Sequence, residues 1–127
     1  MIKNFLILSC IGKDNKIGLR INNKIYIHDI EHSQNNNDLL VSNILKLLKK
    51  YKVNFDNNFS VLVNNGPGSF SSIRVSSAVA KGIKISKKVN LFGYNDKDLG
   101  QFSLANIELL IKKDLLEKNL IKPLYIS

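Results

Sequence analysis

Hydrophobic and polar positions along the chain alternate between the two periods that mark strands and helices. Residues 3–11 are a mainly apolar run bounded by polar residues, which predicts a central strand. Gly12-Lys13-Asp14-Asn15-Lys16 has the composition of a turn. Residues 17–21 and 24–30 predict two further strands joined by a hairpin turn at Asn22-Asn23. In the second of these, Ile25 and Ile27 share one face while Lys24, Tyr26 and His28 share the other, an alternation expected of a half-buried strand.

The period then changes. Ser33 is placed to cap a helix over residues 34–51, with Asp38 near its positive end. At the helical period Leu40, Val41, Ile44, Leu45, Leu47, Leu48 and Tyr51 form one broad apolar stripe, wider than a single sheet contact requires. An apolar run from Phe59 ends in Asn64-Asn65-Gly66-Pro67-Gly68, and helical spacing resumes over residues 71–86, so this piece reads as strand, tight turn, helix. Gly66 and Gly68 permit backbone angles or close approaches that a Cβ would forbid, Pro67 fixes its own φ, and Ser69, Ser71 or Ser72 can cap the helix. On that helix Ile73, Ser76 and Ala80 form a strip of mostly small residues, a candidate packing seam, between a flank of Arg74, Ser77, Lys81 and Lys84 and one of Val75, Ala78, Val79, Gly82 and Ile83.

Residues 89–92 predict a fifth strand and 93–100 a polar connection. A last amphipathic helix over residues 103–118 is expected to bury Leu104, Ile107, Leu110 or Ile111, and Leu115. The apolar tail, residues 121–126, is expected to dock. The order is three strands, helix, strand, helix, strand, helix, in one domain over residues 1–127. It resembles the ribonuclease H-like arrangement: α/β, a mixed five-stranded sheet with about three helices, the unit that forms each lobe of the actin, sugar kinase and Hsp70 superfamily.

Composition refines this picture. The chain has 127 residues, 44% hydrophobic, enough for one modest core. No apolar run approaches the roughly 18 residues that span a bilayer, and the first ten residues read as strand rather than signal peptide. A soluble, cytoplasmic protein is expected, and the single Cys10 agrees with a reducing compartment. The formal charge of +9 would suit an RNA or an acidic protein partner. Lysine supplies nearly all of it, however, and Asn and Ile are abundant throughout, as an AT-biased genome would produce; Arg74 stands out against that background.

Candidate chemistry is thin. A glycine turn opening a helix is a ready anion site, but this one lacks the Gly-Lys-Ser/Thr of a P-loop and the third glycine of the dinucleotide pattern, so Gly66, Pro67, Gly68, Ser69 and Arg74 are read as a structural turn. His28, Glu31 and His32 match H-x-x-E-H, a zinc-peptidase pattern that requires both histidines on one helical face. In extended chain they would lie about 13 Å apart, too far to share a zinc. A ribonuclease H-type nuclease needs converging carboxylates, one of them on the first strand, and residues 3–11 contain none. There is no Gly-x-Ser-x-Gly elbow, and Cys10 has no evident partner. No catalytic, cofactor-binding or metal-binding residue is assigned.

Gly66-Pro67-Gly68-Ser69-Phe70-Ser71-Ser72-Ile73-Arg74, then Ala78-Val79-Ala80-Lys81-Gly82 and Val89-Asn90-Leu91-Phe92-Gly93, resemble the bacterial TsaB family, also called YeaZ. Glu31-His32-Ser33 with Leu39-Leu40, and Pro123-Leu124-Tyr125-Ile126, are similar to that family's earlier helix and closing residues. The resemblance implies a non-catalytic partner of TsaD in making threonylcarbamoyladenosine on tRNA. In that scheme TsaD transfers a threonylcarbamoyl group from an adenylate made by a TsaC-type enzyme, and TsaE supplies an ATPase. It further implies helix-to-helix docking on TsaD, for which Leu40, Ile44, Leu47, Ile73, Ser76, Ser77 and Ala80 are the candidate interface, and a homodimer through the same helices when TsaD is missing. Contact with TsaE or with tRNA itself stays open.

Two features depart from the family pattern. Leu8-Ser9-Cys10 stands where Asp-Thr-Ser is usual, and most of the second lobe has no counterpart, so the expected form is a shortened one. The alternatives are a small basic RNA-binding module, without the aromatic pattern of an RRM or the Gly-x-x-Gly of a KH domain, and the peptidase that the histidine geometry disfavours.

Overall fold

The computed structural model describes residues 3–9, 15–29, 37–54, 56–66, 68–69, 78, 80–83, 89–118 and 125–126. The strands are β1 (Asn4–Ser9), β2 (Lys16–Ile21), β3 (Lys24–Asp29), β4 (Phe59–Asn64), β5 (Gly68–Ser69), β6 (Asn90–Tyr94), β7 (Glu117–Lys118) and β8 (Tyr125–Ile126). The helices are α1 (Asn37–Lys50), a single turn α2 (Asp96–Leu99) and α3 (Leu104–Lys112), and residues 78 and 80–83 are also helical. The main sheet runs β3-β2-β1-β4-β6-β7. Its β3-β2-β1 side is antiparallel and its β1-β4-β6 side parallel, the mixed five-stranded sheet expected, with the two-residue β7 added antiparallel to β6.

β1 lies at the centre because both of its faces are apolar. Leu6 and Leu8 point into a layer with Val61 and Val63 of β4, Leu91 of β6, Ile44, Leu47 and Leu48 of α1, and Ala80. Phe5 and Ile7 point into the opposite layer with Leu62, Tyr94, Leu99, Ile107 and Leu110, the face covered by α3. Each large side chain buried in this way contributes about 1.5–3 kcal/mol. Alternate residues of the central strands thus join two helical layers through one sheet.

Local chemistry sets the edges of the elements. Asn22 and Asn23 take positive φ, 53° and 67°, the backbone of a two-residue hairpin turn that asparagine tolerates. α1 ends at Lys50, where Lys52 adopts φ 51° and Val53 N–H donates to Leu48 O at 3.1 Å. α3 ends in the same way, with Asp114 at φ 57° and Leu115 N–H donating to Leu110 O at 3.2 Å. Tyr51 then stacks on Tyr26 of β3, ring centroids 4.0 Å apart, which fastens the end of α1 to the edge strand.

Four expectations are corrected. The last helix stops at Lys112 rather than 118, and Glu117–Lys118 joins the sheet instead. Leu104 and Leu115, expected inside, are each 40% exposed, while Ile107 and Leu110 are buried. The fifth strand runs to Tyr94, and the expected polar connection contains α2, capped by Asn95 whose side chain accepts from Lys97 N–H. Ser69, a candidate helix cap, lies in β5, which pairs in parallel with β8 of the tail. Tyr125 and Ile126 of the tail therefore dock beside Gly68 and Ser69.

Candidate functional site

The carboxyl ends of the parallel strands β1, β4 and β6 are where open α/β sheets usually hold ligands. Here a buried amide occupies that position. Asn64, fully buried, donates through Nδ2 to Ser9 Oγ at 3.2 Å and to Asp96 Oδ1 at 3.0 Å, while its Oδ1 accepts from Gly66 N–H at 2.8 Å. The last of these closes a side-chain turn of the kind asparagine makes two residues ahead of itself. One side chain thus ties the end of β1, the glycine turn and the start of α2.

Backbone bonds complete the arrangement. Asn65 N–H donates to Tyr94 O at 2.8 Å, Asp96 N–H donates to Gly66 O at 2.9 Å, and the buried Tyr94 hydroxyl donates to Leu8 O at 3.0 Å. Gly66 sits at φ 96°, in the region that favours glycine, as its place in the turn predicts. A Cβ on Gly93 would overlap the Asn65 side-chain amide, so β6 is glycine where β4's extension crosses it. Among the described residues the buried Asn65 Oδ1 has no hydrogen-bond partner. Ser9 and Asp96 are thereby each held by the Asn64 amide, which locks the strand ends together.

The interface candidates divide. Ile44, Leu47 and Ala80 lie in the protomer's own core, 0%, 5% and 0% exposed, so no partner can rest on them; this corrects their place in the seam. A helical wheel assigns neighbours to a stripe but does not say which side of a small-residue strip meets the sheet, and Ala80 is small because the sheet lies against it. Leu40 belongs to α1, its side chain outside the described residues; Pro67, Ile73, Arg74, Ser76 and Ser77 also lie outside them. Among the described residues, the exposed ones of the same helices are Leu45, Lys46, Lys49 and Lys50 on α1, and Ala78, Lys81 and Gly82. A Cβ on Gly82 would meet nothing within 4 Å. Leu45 is 58% exposed, the part of the broad apolar stripe that the sheet leaves uncovered.

His28 stands exposed on β3, 6.3 Å from the Tyr51 ring, and Glu31 and His32 lie outside the described residues. Among the described residues no three His, Cys, Asp or Glu side chains come together as a metal site. None of the described helices is long and apolar enough to cross a membrane. A second arginine, Arg20, approaches Glu108 of α3 at 3.5 Å. With Arg20 and Arg74 both in the chain, Arg74 is not set apart by residue type, which corrects the weight placed on it alone.

No family model matches the chain, and no curated protein does. Solved structures do. YeaZ from Pseudomonas aeruginosa superposes with a TM-score of 0.65 at 17% identity, over 76% of this chain and 45% of that one. A structure described as an uncharacterized protein with similarity to peptidase YEAZ, also from Pseudomonas aeruginosa, gives 0.65 at 18% identity, over 76% and 44%. RuvC from Thermus thermophilus gives 0.51 at 9% identity, over 88% and 80%. The fold is therefore ribonuclease H-like and shared with YeaZ, and the chain spans about 45% of that protein's length.

Proposed function

We propose that this chain is a non-catalytic partner of a TsaD-type transferase in making threonylcarbamoyladenosine on tRNA, acting by helix-mediated docking. The observation that carries the reading is the YeaZ fold over 76% of the chain, taken with the Gly66-Pro67-Gly68-Ser69 turn that resembles that family. The Asn64 amide, bonded to both Ser9 and Asp96, ties the strand ends together, which supports a structural role for that end of the sheet.

The docking surface is the outward side of α1 and of the helical residues 78 and 80–83. Leu45 supplies apolar area, and the exposed Ala78 and Gly82, four residues apart on one helical face, let a second helix approach closely. The same surface would pair two copies when TsaD is absent. Co-expression with TsaD from the same cells tests this: the two should co-purify, and Leu45→Arg or Gly82→Arg should abolish the association while leaving thermal unfolding unchanged. A chain that never travels with TsaD, or variants that bind it as tightly as the parent, would overturn the reading. Ala80→Arg is not a clean test, because it unfolds the core.

A further inference from the structure

At the amino end of β1, opposite the Asn64 lock, a groove of about 700 Å³ lies between α3 and the turn joining β2 to β3. Among the described residues Lys3, Arg20 and Lys112 line it, against the single carboxylate of Glu108. Arg20 projects there because it pairs in register with Phe5, on the face that α3 covers, and Glu108, Ile111 and Lys112 are neighbours on one side of that helix. Glu108 meets Arg20 through one oxygen at 3.5 Å, leaving most of the guanidinium's five N–H donors uncommitted. Among the described residues neither Lys3 nor Lys112 has an ion-pair partner. Three cations thus converge on a space holding one anion.

We propose that this groove binds the phosphodiester backbone of an RNA strand, independently of the docking surface on the opposite layer of helices. Chemistry selects that ligand over a mononucleotide. Among the described residues the lining contains no aromatic ring, so a base finds no stacking platform there, and recognition falls to the phosphates. Successive phosphates along a strand engage all three cations, whereas one nucleotide presents its charge at a single point. The amides of Asn4, Asn22 and Asn23 add neutral donors of the sort that contact sugar and phosphate oxygens. Asn4 Oδ1 already accepts from Asn22 N–H at 3.4 Å, which leaves its Nδ2 as the donor. The net charge of +9 favours encounter with the strand without choosing where it binds.

Fluorescence anisotropy with a labelled single-stranded RNA oligonucleotide, over a salt series, tests the site. Three phosphate contacts predict log K falling against log salt with a slope of about −2. Replacing Lys3, Arg20 and Lys112 with Gln should weaken binding at least roughly tenfold at low salt and flatten that slope, whereas Lys46→Gln with Lys49→Gln and Lys50→Gln, an equal loss of charge on α1, should change it little. Should the groove triple variant fail to fold by circular dichroism, Lys3→Glu with Lys112→Glu, both exposed, replaces it. Equal losses from the groove and α1 variants would assign binding to the overall field and overturn the proposal. So would displacement of the RNA by AMP at equal phosphate concentration, or no RNA binding at low salt.

Discussion

Asn64 carries three hydrogen bonds within a site closed to water, and a buried amide without partners costs more than an exposed one. Asn64→Ala leaves Ser9 and the Gly66 N–H unmatched together, so a loss of about 1–3 kcal/mol is expected in urea unfolding. A change below about 0.5 kcal/mol would show that water replaces the side chain without cost. The role was only partly legible in sequence. Gly66 announced a turn through its residue type, and its φ of 96° agrees. Asn64 looked like one more polar residue in an Asn-rich chain, since its partners Ser9 and Asp96 lie 55 and 32 positions away and no local pattern connects them.

Between residues and the whole, α1 shows where periodicity succeeds and where it stops. Its apolar stripe placed Ile44, Leu47 and Leu48 on one face, and all three are buried, but the period alone did not show that Ile44 and Leu47 meet the sheet rather than a partner. The stripe's width was also meaningful, because Leu45 remains outside. Leu47→Ala is expected to cost about 2–5 kcal/mol of stability, while Leu45→Ala should stay within about 0.5 kcal/mol; thermal and urea melts of the two variants separate a core position from a surface one. The end of α3 was not legible. Leu115 and Lys118 continue the helical period past Asp114, and an aspartate at positive φ ends the helix without the glycine that would mark the stop. α2 and β5 are too short, four and two residues, to carry a period at all.

For the molecule as a whole, the order of the strands was readable because β1 and β4 are apolar on both faces, and such strands belong at the centre of a sheet. The pairing of β5 with β8 was not, because parallel strands so distant in sequence leave no local trace. If that pairing holds the glycine turn, deleting residues 121–127 should raise amide hydrogen exchange around Gly68 and Ser69 while β1 and β4 stay protected. Unchanged exchange there would mean the turn stands without the tail. The pairing also sets a clock during synthesis. Residues 125–126 are made more than fifty positions after the turn they complete, and at roughly 5–20 residues per second the nascent chain waits several seconds with that edge open. Until β8 arrives to pair with it, β5 is left as an unpaired edge of the kind that chaperones and proteases recognise.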